Sequence, residues 1–167
     1  MKALRKAIAI VVAVTSILAA TAAFAAADAQ KSFEQLKGLS GSWEGKTSDG
    51  KLIQVDYRLT AMGSALMSEI KNMKEDMITM FNLDGDRLLM THYCGAGNQP
   101  RMLATASPDG KTITFDFLDA TNLVSRKAAH MHHVVISMLD TNHHTEEWTS
   151  PDHGKEMKEA FDLWRKK

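Results

Sequence analysis

Residues 51–60 read Lys51-Leu52-Ile53-Gln54-Val55-Asp56-Tyr57-Arg58-Leu59-Thr60, and their alternation decides the fold class. Ile53, Val55, Tyr57 and Leu59 fall on one face; Gln54, Asp56 and Arg58 fall on the other. A period of two is that of an extended strand with one face buried and one wet. The same period returns at 111–118, where Ile113, Phe115 and Phe117 oppose Thr112, Thr114 and Asp116.

Working outward, turn signals recur at short, even intervals. Segments 65–71 and 76–83 flank a polar turn at 72–75, and Asp84-Gly85 is a two-residue hairpin signal because both residues tolerate positive φ. Segment 87–94 precedes a Gly-Ala-Gly-Asn loop at 95–98, and 101–106 runs into the turn Ser107-Pro108-Asp109-Gly110. Segments 130–139 and 143–150 form a hairpin across Asp140-Thr141-Asn142, after an irregular stretch at 119–129. Upstream, Phe33, Leu36 and Leu39 at spacing three suit a short helix or 3₁₀ turn. Downstream, Lys155 to Trp164 consists of helix formers and leaves strand and helix both open. With a short piece around Trp43, about ten strands result. The expectation is an all-β fold, an up-and-down antiparallel β-barrel of about ten strands with a short N-terminal helical turn. A sandwich of two open sheets is the competing arrangement.

Residues 1–27 have the three parts of a secretory leader. Lys2, Arg5 and Lys6 open it, an apolar run from Ala7 to about Ala20 follows, and Ala23-Phe24-Ala25 provides an A-x-A cleavage site. The run is short of the ~20 apolar residues that span a bilayer. The chain is therefore read as residues 1–27, a signal peptide, and 28–167, a single domain of a periplasmic or secreted protein. Its 20 basic and 20 acidic residues balance, and removing Lys2, Arg5 and Lys6 leaves the mature chain at about −3. Such a mildly acidic chain lacks the electrostatic footprint of a nucleic-acid binder, and no later stretch is apolar enough to span a membrane. Cys94 is the single cysteine, so stability rests on packing rather than an internal disulfide.

Gly41-Ser42-Trp43 follows the helical turn at the start of the first strand. Helical turn, Gly-x-Trp, then strands resembles the calycin group of lipocalins, fatty-acid-binding proteins and nitrobindin-like haem barrels. The layout with Gly63-Ser64 after the second strand and a closing Phe161 to Arg165 is similar to a bacterial exported calycin family of unknown function. The resemblance implies that the Trp packs across the base of a barrel that binds a small molecule. The two-helix lid of fatty-acid-binding proteins has no room in this chain.

The polar residues of interest sit on the later strands. His92 shares a strand face with Cys94, and His130 and His132 have the i, i+2 spacing that aims two imidazoles one way. His133, His143 and His144 flank the same hairpin, with Glu146 and Glu147 beyond. The candidate ligand-binding set is His92, Cys94, Arg101, His130, His132, Glu146 and Trp148. The expected partner is a small apolar or amphipathic molecule lodged among apolar strand faces, with Glu146 a candidate counter-ion for an inward Arg101. A haem or transition-metal site on the histidines and an acid–base pair of His132 with Glu146 are the alternatives. The Gly-x-Ser-x-Gly elbow, the phosphate-cradling Gly-rich loop and His-Glu-x-x-His are all missing from the sequence.

Overall fold

The computed structural model describes residues 28–71, 73–152 and 155–167; the leader expected at 1–27 lies outside them. Residues 28–37 are helical. Ten antiparallel strands follow: β1 Gly41–Thr47, β2 Leu52–Thr60, β3 Ala65–Lys71, β4 Met77–Asp84, β5 Arg87–Tyr93, β6 Gln99–Ala106, β7 Thr112–Thr121, β8 His133–Asp140, β9 His143–Asp152 and β10 Lys155–Arg165. Each pairs with its sequence neighbours, and β1 pairs with β10 to close the barrel. Closure removes both sheet edges, which is why the barrel and not the open sandwich forms. The Lys155–Trp164 segment is strand: its ten register pairs with β9 and its pairs with β1 outweigh its helix propensity.

The helix closes one end. Phe33, Leu36 and Leu39 are buried against the barrel at the spacing that marked them in the sequence, and each contributes roughly 1.5–3 kcal/mol by that burial. Trp43 lies beneath them, wholly covered, with its indole Nε1 donating to the Leu39 carbonyl at 2.7 Å. The Arg165 guanidinium stacks 4.3 Å from the Trp43 ring and donates to the carbonyls of Gly38, Ser40 and Thr141. Helix, β1 and β10 are thus tied together at one point.

Two glycines make this end possible. Gly41 has φ of +125°, a conformation that side-chain-bearing residues rarely adopt. At Gly45 a Cβ would lie 1.8 Å from the Asp162 carbonyl oxygen, so only glycine lets β1 and β10 approach this closely.

Candidate functional site

Strand register places a row of polar side chains at one height inside the barrel. Tyr57 on β2 faces Ser68 on β3, Ser68 faces Thr79 on β4, and Thr79 faces His92 on β5. All four are buried. From the opposite wall β9 contributes His144, Glu146 and Trp148, the inward positions of a strand whose outward members are His143, Thr145 and Glu147.

Side chains join the two walls. The Tyr57 phenol donates to Glu146 Oε1, and the Trp148 indole donates to Glu146 Oε2 at 2.8 Å. His144 Nε2 lies 3.4 Å from both Glu146 Oε1 and the Tyr57 oxygen. Thr79 Oγ1 is 2.9 Å from His92 Nδ1, and the His92 ring packs 4.9 Å from that of Trp148. The result is a belt running Tyr57, Glu146, Trp148, His92, Thr79 and Ser68, with His144 bridging it to Trp43 in an edge-on contact at 4.3 Å.

Electrostatics follow from this geometry. Glu146 is 1% exposed. Burial pushes its carboxyl upward, but bonds from His144, Tyr57 and Trp148 outweigh burial and hold it below the ordinary range. Burial pushes the Tyr57 phenol well above its usual value, and the Glu146 charge adds to the rise. Burial holds His92 down at about 4, against a smaller opposing pull from Glu146. His92 is therefore a neutral imidazole near neutral pH, and its Nε2 has no hydrogen-bond partner. Nor has His144 Nδ1. Which nitrogen of His92 carries the proton depends on the Thr79 hydroxyl: if Thr79 accepts from Nδ1, Nε2 presents a lone pair; if it donates, Nε2 presents an N–H.

The expected site residues divide. His92, Glu146 and Trp148 meet in the interior. Arg101 does not; it lies on the outer face and pairs with Asp119, Nε to Oδ1 at 2.6 Å, because its side chain points opposite to the buried Met102. Glu146 is consequently free of arginine. Cys94 follows β5 in a loop, half-buried, where its sulfur meets the Ala96 amide. His130 and His132 precede β8 instead of opening it. His130 is buried against Phe117 and bonded to the Ala128 carbonyl, and its ring centre is 6.0 Å from that of His132. The carboxylate near His132 is Glu156 at 3.6 Å, so the acid–base pair expected with Glu146 is not formed; His144 takes that place. Among the described residues no group of three or more His, Cys, Asp or Glu is placed to hold a metal ion.

Met90, Met102, Ile113, Phe115, Val134 and Leu163 all have 0% exposure, so no water-sized space touches them. The belt is set in packed hydrocarbon.

Sequence reasoning missed Tyr57, Ser68, Thr79 and His144 as members of the site. The signal available was phase. Ser68 lies two from Leu66 and Ile70, Thr79 two before Phe81, and His144 two before Glu146, each a polar residue in an inward position.

Fold and interior together define a small closed ten-stranded barrel with a buried polar centre. No family model and no curated protein matches the chain. Among solved structures it is similar to Rv2717c from M. tuberculosis, with TM-score 0.54 and 15% identity over 81% of this chain and 98% of that one. It is also similar to a protein of unknown function from the DUF3598 family of Nostoc punctiforme PCC 73102, with TM-score 0.52 and 12% identity over 78% of this chain. There it spans about half of the longer protein, 48%. At these identities the likeness shows the fold alone.

Proposed function

We propose that this chain is an exported barrel that binds a small, largely apolar molecule whose polar head engages the interior belt. The observation that carries the reading is the pair of fully buried imidazole nitrogens, His92 Nε2 and His144 Nδ1, that lack a partner in the closed barrel. Nearly all buried polar atoms in folded proteins are partnered, because an unpartnered one costs about 1–3 kcal/mol. A head group that bonds to either nitrogen offsets that cost. The neutral state of His92 favours a hydrogen-bonding head over an anionic one. Trp148, 4.9 Å from the His92 ring, and Phe161 next to it offer apolar contact.

Organic extraction of the purified protein followed by mass spectrometry tests for a resident molecule. Titration with the neutral dye N-phenyl-1-naphthylamine, read by dye emission and by Trp148 quenching, tests the interior directly. His92→Phe should weaken dye binding at least tenfold. A clean extract together with no dye binding to the wild type overturns the reading. Export rests on the charged start, apolar run and A-x-A site of residues 1–27. The intact mass of the secreted or periplasmic product should correspond to a chain beginning after Ala25 or Ala27.

A further inference from the structure

The seams of the barrel are unequal. β5 and β6 share three register pairs, Leu89 with Leu103, Met90 with Met102 and Thr91 with Arg101. Every other seam has between five and ten. Two irregularities of β6 lie at and beside the Thr91–Arg101 end of this seam. Pro100, opposite the inward His92 end of β5, has no N–H to donate. The β6–β7 register slips between Arg101 and Met102, a bulge that turns the strand. Towards the helix end, Arg87 and Leu88 of β5 have no register partners on β6, and Ala104 to Ala106 of β6 pair only with β7.

A groove of about 480 Å³ lies over this unpaired stretch, between the N-terminal helix and the barrel. Leu88, Leu103, Ala104 and Ala106 form its apolar side, with Ala29 and Gln35 on the helix. The charges around it balance, Lys31 and Arg87 against Asp28 and Asp86. Gln35 Oε1 is buried there without a partner. The groove adjoins the interior across Leu88. Leu88 is 1% exposed and belongs to the core cluster, against which Ala104 and Ala29 also pack. Along the inward face of β5, Leu88 is followed by Met90 and His92, a path of about 13 Å at strand rise. Displacing Leu88 thus opens a way from the helix side to the belt.

We infer that the β5–β6 seam beneath the N-terminal helix is the lateral entrance to the barrel, and that its groove is the first station for an uncharged or zwitterionic, largely apolar molecule. This rests on the interior-binding reading above and explains how a packed interior can be reached: the wall parts where its ladder is shortest. The opposite, loop-bearing end with His130 and His132 is then not the way in.

Continuing the pairing of Leu89 with Leu103 puts Arg87 opposite Thr105, both exposed. The test is the double variant Arg87→Cys/Thr105→Cys in a Cys94→Ser background, cross-linked by mild oxidation. Stopped-flow uptake of N-phenyl-1-naphthylamine should slow at least tenfold when the seam is cross-linked and recover on reduction, with the final amplitude unchanged. Uptake at the same rate in both forms overturns the entrance while leaving interior binding intact. No uptake by reduced or cross-linked protein overturns the binding reading and the entrance with it. Hydrogen exchange supplies a dye-free check: amides of Leu88, Ala104 and Ala106 should exchange at least tenfold faster than those of Glu146 and Trp148. Equal protection overturns the weak seam itself.

Discussion

His92 makes stability depend on pH in a window that can be isolated. Its imidazole titrates at about 4 in the folded chain and near 6.5 when exposed. Between those values the unfolded state binds more protons than the folded state, so stability rises with pH. The contribution is complete above the unfolded value and is lost as pH falls towards the folded one. Each unit of difference corresponds to about 1.4 kcal/mol, which gives a loss of about 2 kcal/mol at pH 5 and about 3 kcal/mol below pH 4. The perturbation is His92→Asn, which keeps a polar atom for Thr79 and cannot be protonated. Its smaller volume lowers stability at every pH alike. Urea unfolding followed by the fluorescence of the buried Trp43 and Trp148 at pH 7.5, 6 and 5 gives the free energies. Between pH 7.5 and 5 the wild type should lose about 2 kcal/mol more than the variant. The surface pairs His133–Asp116 and His143–Asp162 are common to both and cancel. Glu146 is held below its ordinary range, so its loss comes at lower pH and does not enter this window. Parallel pH dependences in the two proteins would refute the reasoning, because the imidazole would then not be buried neutral.

Tyr57→Phe removes the phenol donor from a buried carboxylate and should lower stability by about 1–3 kcal/mol in the same assay. Gly45→Ala forces a Cβ against the Asp162 backbone and should cost at least about 2 kcal/mol or prevent soluble expression, judged by urea midpoint and yield. Arg165→Ala frees three carbonyls and uncovers Trp43, for a loss of about 2 kcal/mol and a red shift of tryptophan emission. Arg101→Ala, by contrast, removes an exposed pair with Asp119 and should change stability by less than about 1 kcal/mol, with dye binding unaltered.

Alternation and turn chemistry at Ile53–Leu59, Ile113–Phe117, Asp84-Gly85 and Ser107–Gly110 made the all-β class and about ten strands in up-and-down order legible, while the β1–β10 pairing chose the barrel over the sandwich. These are local properties: a period of two reports one buried face whatever lies across from it. Phe33, Leu36 and Leu39 likewise announced a helix that docks. His92, Glu146 and Trp148 could be picked out as polar or amphipathic residues on promising strands. Their meeting could not, because contact across a barrel depends on register between strands 50 to 90 residues apart, and a slip of one residue turns every side chain to the opposite face. That register turned Arg101 outward to Asp119 and placed Tyr57, Ser68, Thr79 and His92 in one row. It also left β5 and β6 with three pairs, and packed the middle with hydrocarbon. The chain's pattern determines that strands form in up-and-down order; only closure of the sheet decides which polar groups it encloses and where its ladder is shortest, since both depend on the relative positions of strands that no single segment encodes.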